Sequence, residues 1–142
     1  MQTDTTQIRN DPSYGYTAHV KGATIEQTRA RVTEALAKEG FGVLTEIDVK
    51  ATLEKKLGKT THPYLILGAC NPALAHQALE ADKGVGLLLP CNVCLWEEDG
   101  GITVSAIRPD AMFSVVRNPA VEPIVQEAGA RLRRVIDSLE TR

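Results

Sequence analysis

Cys91-Asn92-Val93-Cys94-Leu95-Trp96-Glu97-Glu98-Asp99-Gly100-Gly101-Ile102-Thr103-Val104-Ser105-Ala106-Ile107-Arg108 is the stretch that decides the fold. Asp99-Gly100 is a strong two-residue turn signal, because such turns need positive φ at both central residues. The flanking segments, 91–97 and 102–108, read as strands. With Glu98 facing Gly101, Leu95 faces Val104 and Val93 faces Ala106. The apolar partners match across the pair, and a slip of one residue would break that match. The other face carries Trp96 opposite Thr103, Cys94 opposite Ser105 and Asn92 opposite Ile107.

Moving towards the N-terminus, Gly84 and Gly86 bracket a flexible approach to Leu87-Leu88-Leu89-Pro90. Before it, Asn71 is a good N-cap and Pro72 an ideal first helical residue. The helix they start should run about ten residues, with Leu74, Ala75, Ala78 and Leu79 inward. Residues 64–69 form a strand that is apolar on both faces and so sits inside the sheet. Further back, Tyr14, Tyr16, Ala18 and Val20 alternate with Gly15, Thr17, His19 and Lys21, the period of a strand. Thr24 with Gln27 makes a capping box for a helix striped by Ile25, Val32 and Leu36, which Gly40 ends. Residues 41–47 read as a strand with Val43, Thr45 and Ile47 on one face. Asp48 caps a short helix with Val49, Leu53 and Leu57 in register, and Gly58 stops it. Beyond the hairpin, Asn118-Pro119 or Glu122-Pro123 starts a last helix. Its stripe is Val125, Ala128, Leu132, Val135, Ile136 and Leu139. Hairpin-linked strands and a terminal helix give an α+β domain. It should have about five mainly antiparallel strands, backed by two long helices and accompanied by two shorter ones.

The chain has 142 residues, enough for one domain with a real core; residues 1–12 read as a loose polar arm and 13–142 as the domain. Charged residues make up 24% and the net charge is -2, with no basic patch, so nucleic acid is not an expected partner. No apolar run approaches a membrane span, and the N-terminus lacks the pattern of a secretory signal. Three cysteines make no disulfide framework, and a cytoplasmic, reducing setting follows.

Three segments, Tyr64-Leu65-Ile66-Leu67-Gly68-Ala69-Cys70-Asn71-Pro72, Ala75-His76-Gln77-Ala78-Leu79 and Gly86-Leu87-Leu88-Leu89-Pro90-Cys91-Asn92-Val93, resemble the domain-of-unknown-function 302 family. Gly40-Phe41 and Ile47-Asp48-Val49 match its earlier part. The resemblance implies a compact α+β domain, similar to the TATA-binding-protein fold, and a dimer; it implies no particular activity. Cys70 and Cys91 match family positions, whereas Cys94 falls where an aliphatic residue is expected.

The chemistry centres on the thiols. Cys70 precedes a helix N-terminus, whose aligned N–H groups favour a thiolate or bind an anion. If the strands ending at Cys70 and starting at Cys91 are antiparallel neighbours, the two thiols meet at one end of the sheet. Small cysteines also simply fill tight positions beside Gly68 and Pro90. Cys91 and Cys94 alternate onto opposite faces of a strand, and a second paired ligand motif is missing, so no metal centre is expected. His76, one turn into the helix, has two readings: a base or ligand facing the thiols, or, more commonly at such a position, a half-exposed surface residue. Gly58-Lys59-Thr60 lacks the upstream glycine of a phosphate loop, and Gly84-Val85-Gly86 lacks a third glycine.

The leading expectation is a ligand-binding or accessory protein, homodimeric, with a small-molecule or anionic ligand at Cys70, Asn71, Cys91 and Asn92. One alternative is a thiol-dependent enzyme or redox carrier using Cys70 and Cys91 with His76 assisting. Another is an interaction module working through the outer sheet face, where Trp96 and Thr103 would form the contact.

Overall fold

The structure is a computed structural model that describes residues 12–140, so the arm expected at residues 1–12 lies outside it except for Pro12. The strands are β1 (Gly15–Lys21), β2 (Gly42–Asp48), β3 (Tyr64–Cys70), β4 (Cys91–Glu98) and β5 (Gly101–Ile107). They form one sheet in the order β1-β5-β4-β3-β2, with every neighbouring pair antiparallel. The helices are α1 (Ile25–Lys38), α2 (Val49–Leu57), α3 (Pro72–Ala81), a single turn α4 (Pro109–Met112) and α5 (Glu122–Leu139). The architecture is α+β.

Local chemistry fixes these boundaries. Asp99 and Gly100 have φ of 50° and 72°, and the hairpin pairs Glu98 with Gly101, Trp96 with Thr103 and Leu95 with Val104. Thr24 and Gln27 exchange both bonds of the capping box. The Asp48 side chain accepts from Ala51 N–H, and Gly58 ends α2 in the left-handed conformation.

α1 and α5 pack on one face of the sheet. Val32, Leu36, Leu132, Val135 and Ile136 meet Leu67, Val93, Leu95, Val104 and Ala106 in the main core. Full burial of each large aliphatic chain there is worth about 1.5–3 kcal/mol over leaving it exposed. A second, smaller cluster joins Ala78, Val85, Phe113, Val121 and Val125. It seals the end of the sheet where β3 stops and β4 begins.

Three expectations need correction. The β2 pairing shifts between Val43 and Thr45, so Val43 opposes Ala69 while Thr45 opposes Gly68 and Ile47 opposes Ile66. Leu44, skipped in the pairing, is exposed. Such an irregularity turns the strand over, so Val43 faces the helices and Thr45 and Ile47 face the other way. No residue of α2 is buried, and Leu57 is exposed. Leu79 is likewise exposed, leaving Ala78 as the buried residue of α3. Finally, Lys83–Leu88 is a 3-10 helix capped by the Asp82 side chain at Gly84 N–H, not a flexible approach.

Candidate functional site

Cys70 and Cys91 come together as the antiparallel arrangement requires. Ala69 faces Cys91 across β3 and β4, and Cys70 follows at once. Both line one small cavity of about 40 Å³, at the seam between the two core clusters. Its walls include Phe41 from the start of β2, Leu74, Ala75 and Ala78 from α3, Leu89, Phe113, and Ile124, Val125 and Ala128 from α5. Leu89, Phe113 and Ile124 had no place in the sequence-based site. A signal existed for part of it: Pro109 after a strand marks a helical first position, and α4 brings Phe113 to the seam.

All three cysteines are free. Burial pushes each thiol above its ordinary value, Cys91 to about 11, with Cys70 adding to the effect at Cys91. At Cys70 burial therefore opposes the thiolate that the helix N-terminus favours.

Asn71 also lines the cavity, but its polar atoms are in use. Oδ1 accepts from Leu74 N–H at 3.2 Å, and Nδ2 donates to the Glu39 carbonyl at 3.3 Å. The same carbonyl accepts from Arg131 at 3.0 Å. Asn71 thus positions the wall rather than offering a free group to a ligand.

His76 and Asn92 do not join the thiols. The His76 side chain is 76% exposed, with Nε2 3.8 Å from Glu80. The neighbouring Gln77 and Glu80 mark that side of α3 as polar. Asn92 opposes Gly68 and is exposed, on the face away from Cys91. Cys94 shares that outer face, so Cys91 and Cys94 point apart as expected.

The outer face carries its own network. Trp96 stacks on Tyr64 with centroids 5.4 Å apart and planes at 12°. Trp96 Nε1 donates to one Glu98 oxygen at 3.2 Å, and Thr103 Oγ1 donates to the other at 2.8 Å. The hydroxyl proton being spent, His19 Nδ1 donates to Thr103 Oγ1 at 3.1 Å. Thr103 is therefore buried, and Trp96 only half exposed. Burial, with Cys94 adding to it, pushes the Tyr64 phenol up to about 12.

A larger open hollow, about 1470 Å³, runs along the free edge of β1. Two of its arginines are engaged. Arg108 lies over the Tyr16 ring and pairs with Asp110, and Arg31 donates to the Leu139 carbonyl. Among the described residues, no three metal-ligating side chains converge, and no helix is long and apolar enough to cross a membrane.

The chain can now be set beside known proteins. No curated protein matches it. A crystal structure of an uncharacterized conserved protein, DUF302, from Bacillus stearothermophilus is similar, with a TM-score of 0.83 and 29% identity. The similarity covers 91% of this chain and 100% of that one. The family model for the domain of unknown function DUF302 matches residues 16–139. With the family model covering most of the chain and the similar structure agreeing over 91% of it, the chain belongs to the DUF302 family.

Proposed function

We propose that this protein is a small binding protein whose ligand site is the cavity between Cys70 and Cys91. The observation that carries this reading is the cavity itself: one small, largely apolar space lined by two free cysteines of adjacent strands. The thiol-enzyme reading is weaker, because burial pushes both thiols above their ordinary value and His76 is exposed. Three free thiols fit a reducing, cytoplasmic setting.

The protein works as a homodimer joined through the outer sheet face. Tyr64, Trp96, Ile66 and Ile47 lie on that face across three strands, and Ile47 is 48% exposed. Exposed apolar surface of this kind favours association, and a two-fold contact buries it twice.

Native mass spectrometry of freshly purified protein tests the binding site. A bound mass on the wild type that disappears in Ala75→Phe, which fills the cavity, supports the reading. Wild type and variant carrying the same mass, or neither carrying any, contradicts it.

A further inference from the structure

The outer sheet face carries a fixed carboxylate at its rim. Alternation along β4 puts Glu98 on the side of Trp96, and its two oxygens accept from Trp96 Nε1 and Thr103 Oγ1. Glu98 and Asp99 are exposed at the hairpin turn, and no cation pairs with either among the described residues. The opposite charge gathers on α2. Lys55 and Lys56 lie in its last turn and Lys59 just beyond, all exposed and none in an ion pair among the described residues. Leu57, between them, is an exposed apolar side chain. No α2 residue belongs to either core cluster, so this helix stays apart from the packing of α1 and α5 on the sheet.

We propose that in the homodimer the lysine-bearing end of each copy's α2 meets the Glu98-Asp99 turn of the other copy. This rests on the outer-face dimer and specifies how its two copies are turned. The apolar patch is centred between β3 and β4, where Tyr64 stacks on Trp96. A two-fold axis there, parallel to the strands, packs that stack against its own copy and keeps like ends of the two sheets together. It also exchanges the two sides of the axis. The hairpin turn, between β4 and β5, lies on one side; α2, which links β2 to β3, lies on the other. Both are at the same end of the sheet. Asp48, which caps α2, pairs with Leu65, and Tyr64 pairs with Trp96 next to the turn. The rotation therefore brings each acidic turn to the partner's basic helix, twice per dimer. A two-fold perpendicular to the strands would carry the turn to the opposite end, away from α2. Charge pairs of this kind fix orientation more than affinity.

Sedimentation equilibrium of the full-length protein tests the contact with two charge-reversed variants, Lys56→Glu/Lys59→Glu and Glu98→Lys. Each alone should dimerise at least about tenfold more weakly than wild type, because like charges then face each other at both contacts. An equimolar mixture of the two should dimerise more tightly than either variant alone, because each reversed turn then meets a reversed helix. The wild-type dimer should weaken as salt rises, and Glu98→Gln should lessen that dependence. The salt comparison decides alone if Glu98→Lys unfolds. Unchanged affinity in either reversed variant, no recovery in the mixture, or wild-type salt dependence in Glu98→Gln overturns the contact. If these fail while Trp96→Glu still weakens the dimer, the outer-face dimer stands and only its orientation is wrong. If wild type is a monomer, the dimer and this contact fall together.

Discussion

The Asn71 side chain fastens the start of α3 to the Glu39 carbonyl at the end of α1. One amide therefore caps a helix, satisfies a helix C-terminal carbonyl and holds a wall of the cavity. Arg131 and Arg134 of α5 meet Glu39 at the same junction, Arg131 at the carbonyl and Arg134 at the carboxylate. Asn71→Ala should cost about 0.5–2 kcal/mol, the range for a lost N-cap. Urea unfolding of both proteins measures this, and a variant of wild-type stability would show that the cap carries no weight.

Gly68 is fixed by crowding. A Cβ there would overlap Thr45 Oγ1 and lie 2.8 Å from Pro90 Cγ. Gly68→Ala should destabilise by about 1–3 kcal/mol, as overpacking does. Thr45→Ala should recover part of the loss, because it removes one of the two clashes. A double-mutant cycle reads the coupling, and strictly additive effects would contradict the contact.

Glu39 should give the junction a pH dependence. The hydrogen bond from Arg134 holds its carboxyl below the ordinary 4.5, against the opposing effect of burial. A carboxyl depressed in the folded state stabilises above its unfolded value and loses that contribution as pH falls through its folded value. The stability difference between wild type and Glu39→Gln should stay constant from neutrality to about 4.5. It should then shrink on further acidification. A difference that grew below that pH would reverse the sign and refute the pairing. High salt should weaken the effect, since Arg134 is exposed.

The parts of the fold legible in the sequence are those with local chemical signatures. Asp99-Gly100 set the hairpin register, Thr24 with Gln27 set the start of α1, and Asn71-Pro72 set the start of α3. What escaped was non-local or carried no residue signature. The alternation through Val43, Thr45 and Ile47 looks regular, and only pairing with β3 reveals that Leu44 is skipped. β1 and β5 are far apart in sequence, yet lie side by side in the sheet. Of the expected site, Cys70 and Cys91 were legible because each marks a strand end. His76 kept two readings because a helix position one turn in fixes height along the axis but not direction, and its exposure selects the surface one. The opposite wall, Leu89, Phe113 and Ile124, depends on how α4 and α5 return to the sheet.

Trp96 provides the test of assembly. Trp96→Glu removes the stack on Tyr64 and places a charge on the outer face, leaving the helix-packed core intact. Wild type should sediment as a dimer at micromolar concentration and the variant should dissociate more readily. A monomeric wild type, or a variant dimer of unchanged affinity, would contradict the proposed interface.

The central claim is that the space between Cys70 and Cys91 is a site that small species enter in the folded protein. The most direct measurement is the rate at which methyl methanethiosulfonate modifies Cys91, read by peptide mass spectrometry and compared with the rate of global unfolding. The account predicts modification faster than unfolding in wild type, and slowing to the unfolding rate in Ala75→Phe. Modification no faster than unfolding in wild type, with no change in the filled variant, would make Cys91 a packing residue and contradict the claim.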